Sequence, residues 1–294
     1  MNKHSLVIGM GIGNLYKDVL TKLGRSIVTV DKDTAKGADF ADVKDAIKEY
    51  GIFDTAHICT PNFTHKEIAE QVAPYTKIVF IEKPGFKTSN EWTTMINARP
   101  FTRFMMVKNN MWRDNIAELA ELASKAKTVK IRWIRKNCIP SPGSWFTTKD
   151  LAFGGVSRDL MPHLLSLYVA MSPDWKHENV SGQTAMQCWE LKDIESTEYG
   201  TVNPHGTYNV DDMCVINFGN KWRLAANWRS QDEEDSSIAF VMPDNKIERF
   251  DLGWCPEEAY HNMIVDAITN IDNSEFWLKQ YAIDTWIHER IEKL

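Results

Sequence analysis

The sequence predicts an α/β protein of two domains, a parallel sheet wrapped by helices and a second, β-rich domain after it. Two observations predict this. Over the first hundred residues, short apolar runs alternate with amphipathic segments, the pattern of βαβ units and a parallel sheet. Beyond residue 128, strand-like stretches dominate and alternate apolar with polar side chains, which marks sheets with one wet and one dry face. A length of 294 residues accommodates two domains of roughly 100–200 residues each.

In chain order, residues 5–8, 26–30, 55–60, 77–81 and 103–107 read as buried strands. They are short, rich in Val, Ile and Phe, and bounded by Gly, Pro or Asp. Residues 15–23, 43–50, 66–73 and 90–98 between them read as helices. A helix at 116–126 places Ile116, Leu119, Ala120 and Ala123 on one face. Strands are then expected at 128–135, 183–191, 213–218, 222–227, 238–242 and 247–250, interrupted by a loop and helix at 141–171. Helices at 256–270 and 274–293 close the chain, and the acidic run 232–235 reads as a solvated loop. The pattern divides into a first domain at 1–110 and a second at 111–294.

Hydrophobic residues make up 43% of the chain and charged residues 25%, which excludes a disordered or fibrous protein. The formal charge of −6 argues against a nucleic-acid binder, whose surface must displace counterions from phosphates. Five scattered cysteines, Cys59, Cys138, Cys188, Cys214 and Cys255, include no C-x-x-C pair. Neither a disulfide framework nor a metal site is expected, and a reducing compartment fits. No apolar run approaches the roughly 18 residues of a membrane span. Met1 to His4 lead directly into a strand without room for a signal peptide. The expectation is a cytoplasmic protein with no membrane partner.

After the first strand stands Gly9-Met10-Gly11-Ile12-Gly13-Asn14. A dinucleotide-binding Rossmann turn needs glycine first for its tight bend and glycine again where backbone approaches the pyrophosphate. Its third position needs a small residue for helix–strand packing. Gly9 and Gly11 meet the first two needs; Asn14 stands at the third, with Gly13 beside it. The helix that follows offers free N–H groups to the phosphates. Asp31, twenty residues beyond Gly11, is placed to accept both ribose hydroxyls and to repel a 2′-phosphate, which favours NAD over NADP. Lys32 beside it weakens that preference and leaves NADP open.

Two more motifs sit at carboxyl ends of parallel strands, where open α/β sheets bind ligands: Thr60-Pro61-Asn62-Phe63-Thr64-His65 and Glu82-Lys83-Pro84-Gly85. Asn110 and Arg113 open the inter-domain helix, and the run Gly154-Gly155-Val156-Ser157-Arg158-Asp159-Leu160-Met161-Pro162-His163 follows. With these, the sequence resembles the Gfo/Idh/MocA family, the glucose–fructose oxidoreductase and inositol dehydrogenase group, from residue 5 to about residue 170. The resemblance implies a Rossmann domain followed by an α+β domain with an open, mostly antiparallel sheet, and an active site in the cleft between them. It implies that Lys83 meets the substrate hydroxyl and the nicotinamide region, that Asp159 and His163 face the substrate, and that the Lys83–Pro84 peptide is cis. It also implies a homodimer or homotetramer. Cofactor contacts are expected from Gly9, Met10, Gly11, Ile12, Gly13, Asp31, Thr60, Pro61, Asn62, His65, Glu82, Lys83 and Pro84. The sequence departs from the family pattern at Asn14, at Met161 where a glycine is common, and in its shorter length.

Asp159 and His163 are four residues apart, which on a helix puts them on one face. Pro162 is tolerated only near a helix start, so the helix is expected to begin around 157–159, with both side chains at its N-terminus. Oxidising an alcohol removes a proton as hydride leaves, and imidazole, with an unperturbed pKa of about 6.5, acts at neutral pH. Lys83, close to a positive nicotinamide ring, should have its pKa lowered and donate to the developing alkoxide. The resulting assignment is His163 as general base, Lys83 as oxyanion stabiliser and Asp159 as orienting group; on the sequence alone Lys83 and His163 are interchangeable.

His65 reads as a helix-start packing residue near the cofactor, and Glu82 as an orienting group. Arg113, Lys149 and Arg158 are candidates for a phosphate or carboxylate on the substrate, and Trp145 for stacking on a sugar. Trp133, Trp189, Trp222 and Trp228 fall in strand patterns and read as core or oligomer-interface residues. The leading expectation is an NAD(P)-dependent oxidoreductase acting on a hydroxyl of a sugar, cyclitol or nucleotide-sugar. The alternatives are a non-catalytic NAD-binding sensor and an NAD-dependent glycoside-cleaving enzyme of the same fold.

Overall fold

The computed structural model describes residues 4–232, 234–253 and 256–294. Met1 to Lys3, Glu233 of the acidic run and Cys255 lie outside the described residues. The chain divides into two units, Met1–Asn109 with Pro256–Glu292, and Asn110–Cys255 with Lys293–Leu294.

The first unit alternates β1 (His4–Ile8), α1 (Gly13–Lys22), β2 (Ser26–Val30), α2 (Val43–Tyr50), β3 (Phe53–Ile58), α3 (His65–Val72), β4 (Thr76–Ile81), α4 (Ser89–Ala98) and β5 (Arg103–Met106). The strands pair in parallel in the order β2-β1-β3-β4-β5. One parallel bridge from Val30 to Phe40 adds a vestigial strand outside β2. The order is then that of a doubly wound dinucleotide-binding sheet with its third strand cut to a single residue. Leu6, Val7, Ala56, Ile58, Val79, Phe80 and Phe104 are fully buried, because helices cover both faces of a parallel sheet. Asp42 and Thr88 cap α2 and α4 by accepting from the N–H groups of Lys44 and Glu91. Several expected bounds move by one or two residues; those that bear on the site are α1, which begins at Gly13 inside the glycine turn, and β3, which ends at Ile58 and leaves Thr60 in the loop.

The second unit contains α5 (Ile116–Lys125), β6 (Thr128–Ile134), α6 (Lys149–Ala152), α7 (Val156–Asp159), α8 (Met161–Met171), β7 (Val180–Met186), β8 (Met213–Phe218), β9 (Trp222–Asn227), β10 (Asp235–Val241) and β11 (Ile247–Asp251). Its sheet runs β11-β10-β6-β9-β8-β7. The β6–β9 pair is parallel and the other four pairs are antiparallel. Val129, Ile131, Cys214, Ile216, Phe218, Leu224, Ile238 and Phe240 make the buried face, against which the apolar helix α8 packs through β6 and β9. Trp133, Trp222 and Trp228 belong to this buried set. Trp189 is partly buried, and the Arg229 guanidinium lies 4.6 Å over its ring.

Three expectations are corrected here. The strand read at 183–191 ends at Met186, because the N–H groups of Cys188 and Trp189 donate to the Asp212 carboxylate instead of a strand neighbour. Asp235, the last residue of the acidic run, is no solvated loop residue. It opens β10, is buried, and is neutralised by Arg132 at 2.9 Å and by Arg249. Asp159 and His163 do not share a helix. Pro162 brings no N–H to the ladder, so α7 ends at Asp159 and α8 starts at Met161.

The chain then returns to the first unit with α9 (Glu257–Thr269) and α10 (Ser274–Glu292). Helix α9 lies against α1, and α10 against α4 and β5. A fully buried ion pair joins Lys108 Nζ to Asp284 at 2.6 Å. Burial pushes the Asp284 carboxyl up to about 6 and the Lys108 ammonium down. The linear division at 110/111 misses this return, since the pattern of a helix does not say which sheet it covers.

Candidate active site

In the first unit the glycine turn is built as expected, with one exchange of roles. Gly9 sits at φ +91°, and a Cβ there would stand 2.7 Å from the Cys59 carbonyl oxygen. At Gly11 a Cβ would meet nothing within 4 Å, so the backbone is open to a phosphate. A Cβ on Gly13 would stand 3.0 Å from Val7. Gly13 therefore provides the close helix–strand approach, and Asn14 is free to donate from Nδ2 to the Met10 carbonyl at 2.7 Å.

Asp31 is buried at the end of β2 and accepts from the N–H groups of Met10 (2.6 Å) and Asp33 (2.9 Å) and from Lys36 Nζ (3.1 Å). Burial works to raise its pKa, but these donors outweigh it and hold the carboxyl below its ordinary range. The cation on Asp31 is Lys36, while Lys32 is exposed. A carboxylate offers about four lone-pair sites, so Asp31 keeps acceptor capacity for a ribose hydroxyl. These features fit a bound dinucleotide.

The two strand-end motifs are tied together by His65, buried at the start of α3. Its Nδ1 faces the Gly85 carbonyl at 2.9 Å and its Nε2 the Thr60 carbonyl at 2.8 Å. Burial lowers its pKa, against the pull of the two carbonyls. Glu82 accepts from the Tyr16 hydroxyl at 2.6 Å and from the Lys83 N–H at 3.2 Å. Burial, with that carboxylate beside it, raises the Tyr16 pKa well above its ordinary value, so Tyr16 remains a donor. The Lys83–Pro84 peptide is cis, and Lys83 is half-buried. The turn is braced from α10, where His288 Nε2 accepts from the Phe86 N–H at 3.2 Å. Tyr16 and His288 carry no motif that marks them in the sequence.

In the second unit, Asp159 accepts from Trp228 Nε1 at 2.9 Å. His163 tilts against Trp133, with ring centroids 5.6 Å apart, and its Nδ1 lies 3.1 Å from Asn110 Nδ2. Asn110 Oδ1 accepts from Arg113 Nε at 2.8 Å. Arg113 is buried, and its Nη2 has no hydrogen-bond partner among the described residues. The Gly154-Gly155 turn is fixed by Asp211, which accepts from the N–H groups of Gly155 and Ser157 and from the Ser157 hydroxyl. A Cβ on Gly155 would stand 1.7 Å from the Asp211 carbonyl oxygen, so glycine is required there.

Sequence reasoning missed Asp211; its one signal is the pair of aspartates immediately before β8. Trp145 stacks on Phe146 at 3.8 Å in a partly exposed turn. Lys149 is exposed at the start of α6, whereas Arg158 is buried in α7.

A Rossmann unit with these strand ends defines an NAD-binding oxidoreductase fold, and residues 23–100 match the sequence model of the oxidoreductase family of that description. That model is the Gfo/Idh/MocA one, and NAD is the cofactor of its fold. The putative UDP-kanosamine synthase oxidoreductase subunit of Amycolatopsis mediterranei (strain S699) is 30% identical over 208 residues, 64% of this chain and 55% of that protein. The chain thus spans little more than half the length of this curated relative. Two solved structures share the fold. GenD2 from gentamicin A biosynthesis, in complex with NAD, has a TM-score of 0.73 at 19% identity, covering 97% of this chain and 92% of its own. Levoglucosan dehydrogenase, in complex with NADH and levoglucosan, has a TM-score of 0.72 at 16% identity, covering 100% and 97%.

Proposed function

We propose that this chain is an NAD-dependent oxidoreductase that transfers hydride between a nicotinamide cofactor and the hydroxyl-bearing carbon of a sugar, cyclitol or nucleotide-sugar. The observation that carries this reading is the Arg113–Asn110–His163 set, joined in one chain to the family's NAD-binding unit. A buried guanidinium N–H without an acceptor costs free energy, and a substrate oxygen supplies that acceptor. The substrate class is supported by relatives whose names carry sugars, kanosamine and levoglucosan.

Bound NAD supplies the hydride acceptor. The backbone of Gly9, Met10, Gly11, Ile12 and Gly13 holds its diphosphate. Asp31 takes the ribose hydroxyls and favours NAD over NADP. Thr60, Pro61, Asn62, His65, Glu82 and Pro84 shape the strand-end pocket. Lys83, Asp159 and His163 address the reacting alcohol. Its O–H proton passes to a neutral nitrogen base, its C–H bond breaks with the electron pair leaving as hydride, and the carbonyl forms. Arg113, Trp145, Lys149 and Arg158 bind the rest of the substrate. We place the protein in the cytoplasm, as a homodimer or homotetramer.

The test incubates the protein with NAD⁺ and a panel of sugars, cyclitols and nucleotide-sugars and follows NADH. Catalytic NADH formation with a panel member is the expected result. Binding of NAD with no product from any member sinks the reading in favour of a sensor. Sugar release without net NADH replaces it with glycoside cleavage.

A further inference from the structure

We infer that Asn110 is a positioning residue that fixes the tautomer of His163, with the ring proton on Nε2, so that His163 meets a substrate oxygen as a hydrogen-bond donor and the proton-accepting role falls to Lys83. The argument follows the direction of the hydrogen bonds. A guanidinium has donors only. Arg113 Nε, at 2.8 Å from Asn110, must therefore donate, and the atom receiving it must be the amide oxygen. That settles the amide orientation, which heavy-atom positions alone leave open. The Asn110 Nδ2, a donor without an acceptor lone pair, is then turned to His163 Nδ1 at 3.1 Å. Nδ1 must accept, so it carries no proton, and a neutral imidazole with a bare Nδ1 carries its proton on Nε2.

Each link is held. Asn110 is fully buried and Arg113 nearly so, and the three residues lie within one unit. Placing a second proton on the ring would set Nδ1–H against the Asn110 N–H and lose this hydrogen bond. Tautomer control by the partner of the other ring nitrogen is the means by which metal-site and triad histidines are set. Here an amide anchored by a guanidinium takes the place of a carboxylate.

The consequence for proton transfer rests on the oxidoreductase reading above; the tautomer does not. The test is the long-range ¹H–¹⁵N correlation spectrum of protein labelled with ring-¹⁵N histidine. His163 is assigned among the eight histidines by the set of signals lost in His163→Gln. The expected pattern at neutral pH is an unprotonated Nδ1 and a protonated Nε2. An Nδ1–H tautomer, or a doubly protonated ring, overturns the inference.

Asn110→Asp offers a carboxylate that Arg113 still anchors but that accepts from His163. It should place a proton on Nδ1 and lower kcat by about tenfold or more, with NAD affinity unchanged. A retained neutral ring in that variant, with Nδ1 still bare and the proton on Nε2, also overturns the inference. The predicted tautomer in a protein that oxidises nothing leaves the inference standing and removes the function; turnover with the opposite tautomer does the reverse.

Discussion

The two units hold their polar groups in opposite ways. In the first, backbone does most of the holding: the turn at Gly9 to Gly13, the carbonyls of Thr60 and Gly85 on His65, and the Lys83 N–H on Glu82, with Tyr16 on Glu82 and His288 on Phe86 as its remote side-chain exceptions. In the second, side chains from distant segments do it. Trp228 holds Asp159 across 69 residues, Asn110 holds His163 across 53, and Asp211 holds Ser157 across 54. The difference teaches where a site can be read. A backbone cradle leaves a short motif, because glycine and proline are needed at fixed places. A cradle made of remote side chains leaves none.

The strongest way to break this contrast is Lys83→Ala. Turnover should fall by at least about a hundredfold, the range of a lost proton-transfer group, while NAD binds as before in a fluorescence titration. Weak NAD binding in this variant would make Lys83 part of the cofactor cradle instead. Next come the two glycines. Gly9→Ala and Gly155→Ala each force a Cβ into a carbonyl and should each destabilise by about 2–3 kcal/mol, seen as lower midpoints in urea. If the contrast holds, the first variant loses NAD affinity and the second loses kcat; the opposite partition would refute it.

Acid should find the first unit first. His57 is fully buried, with its pKa pushed down to about 3 by burial and the nearby Arg25 charge, and His65 is lowered too. Both folded values lie below the unfolded value of about 6.5. Their stability is therefore complete above that pH and is lost as pH falls through it, by up to ~1.4 kcal/mol per pH unit for each proton. His57→Phe, which retains a ring to stack on Phe80, should flatten the fall in urea midpoint between roughly pH 6 and 4. An unchanged slope would mean that His57 is already charged in the fold. Smaller still, Asp211→Ala should cost about 1–2 kcal/mol and lower kcat without touching NAD affinity. Asp31→Ala should relax the preference for NAD over NADP about tenfold, ~1.4 kcal/mol; an unchanged ratio would remove Asp31 from the ribose.

The first unit was legible because its strands are short apolar runs separated by Gly, Pro and Asp. Its order of elements holds, with bounds shifted by one or two residues, at Gly13 and Ile58 among others. Lys83 and Asp31 are candidates in the sequence because each follows a strand at a fixed offset from a motif. The strand at 183–191 was misplaced because Asp212, a distant carboxylate, takes the N–H groups that a strand neighbour would take. Asp235 was misread because a run of acids looks solvated until Arg132 and Arg249 are brought to it across the sheet. The spacing of Asp159 and His163 puts them on one helix in the sequence, but Pro162 divides that helix into α7 and α8. Tyr16, His288 and Asp211 act through space alone.

The return of α9 and α10 to the first sheet gives the chain a timetable. A nascent polypeptide ending near residue 255 has already made Lys108 but not Asp284, and an uncompensated charge resists burial. The nucleotide-binding unit, although its sheet is translated first, thus waits for a segment that follows the whole second sheet. Translation of the intervening sheet comes between the two parts of its core, and the carboxylate that Lys108 needs arrives only with α10.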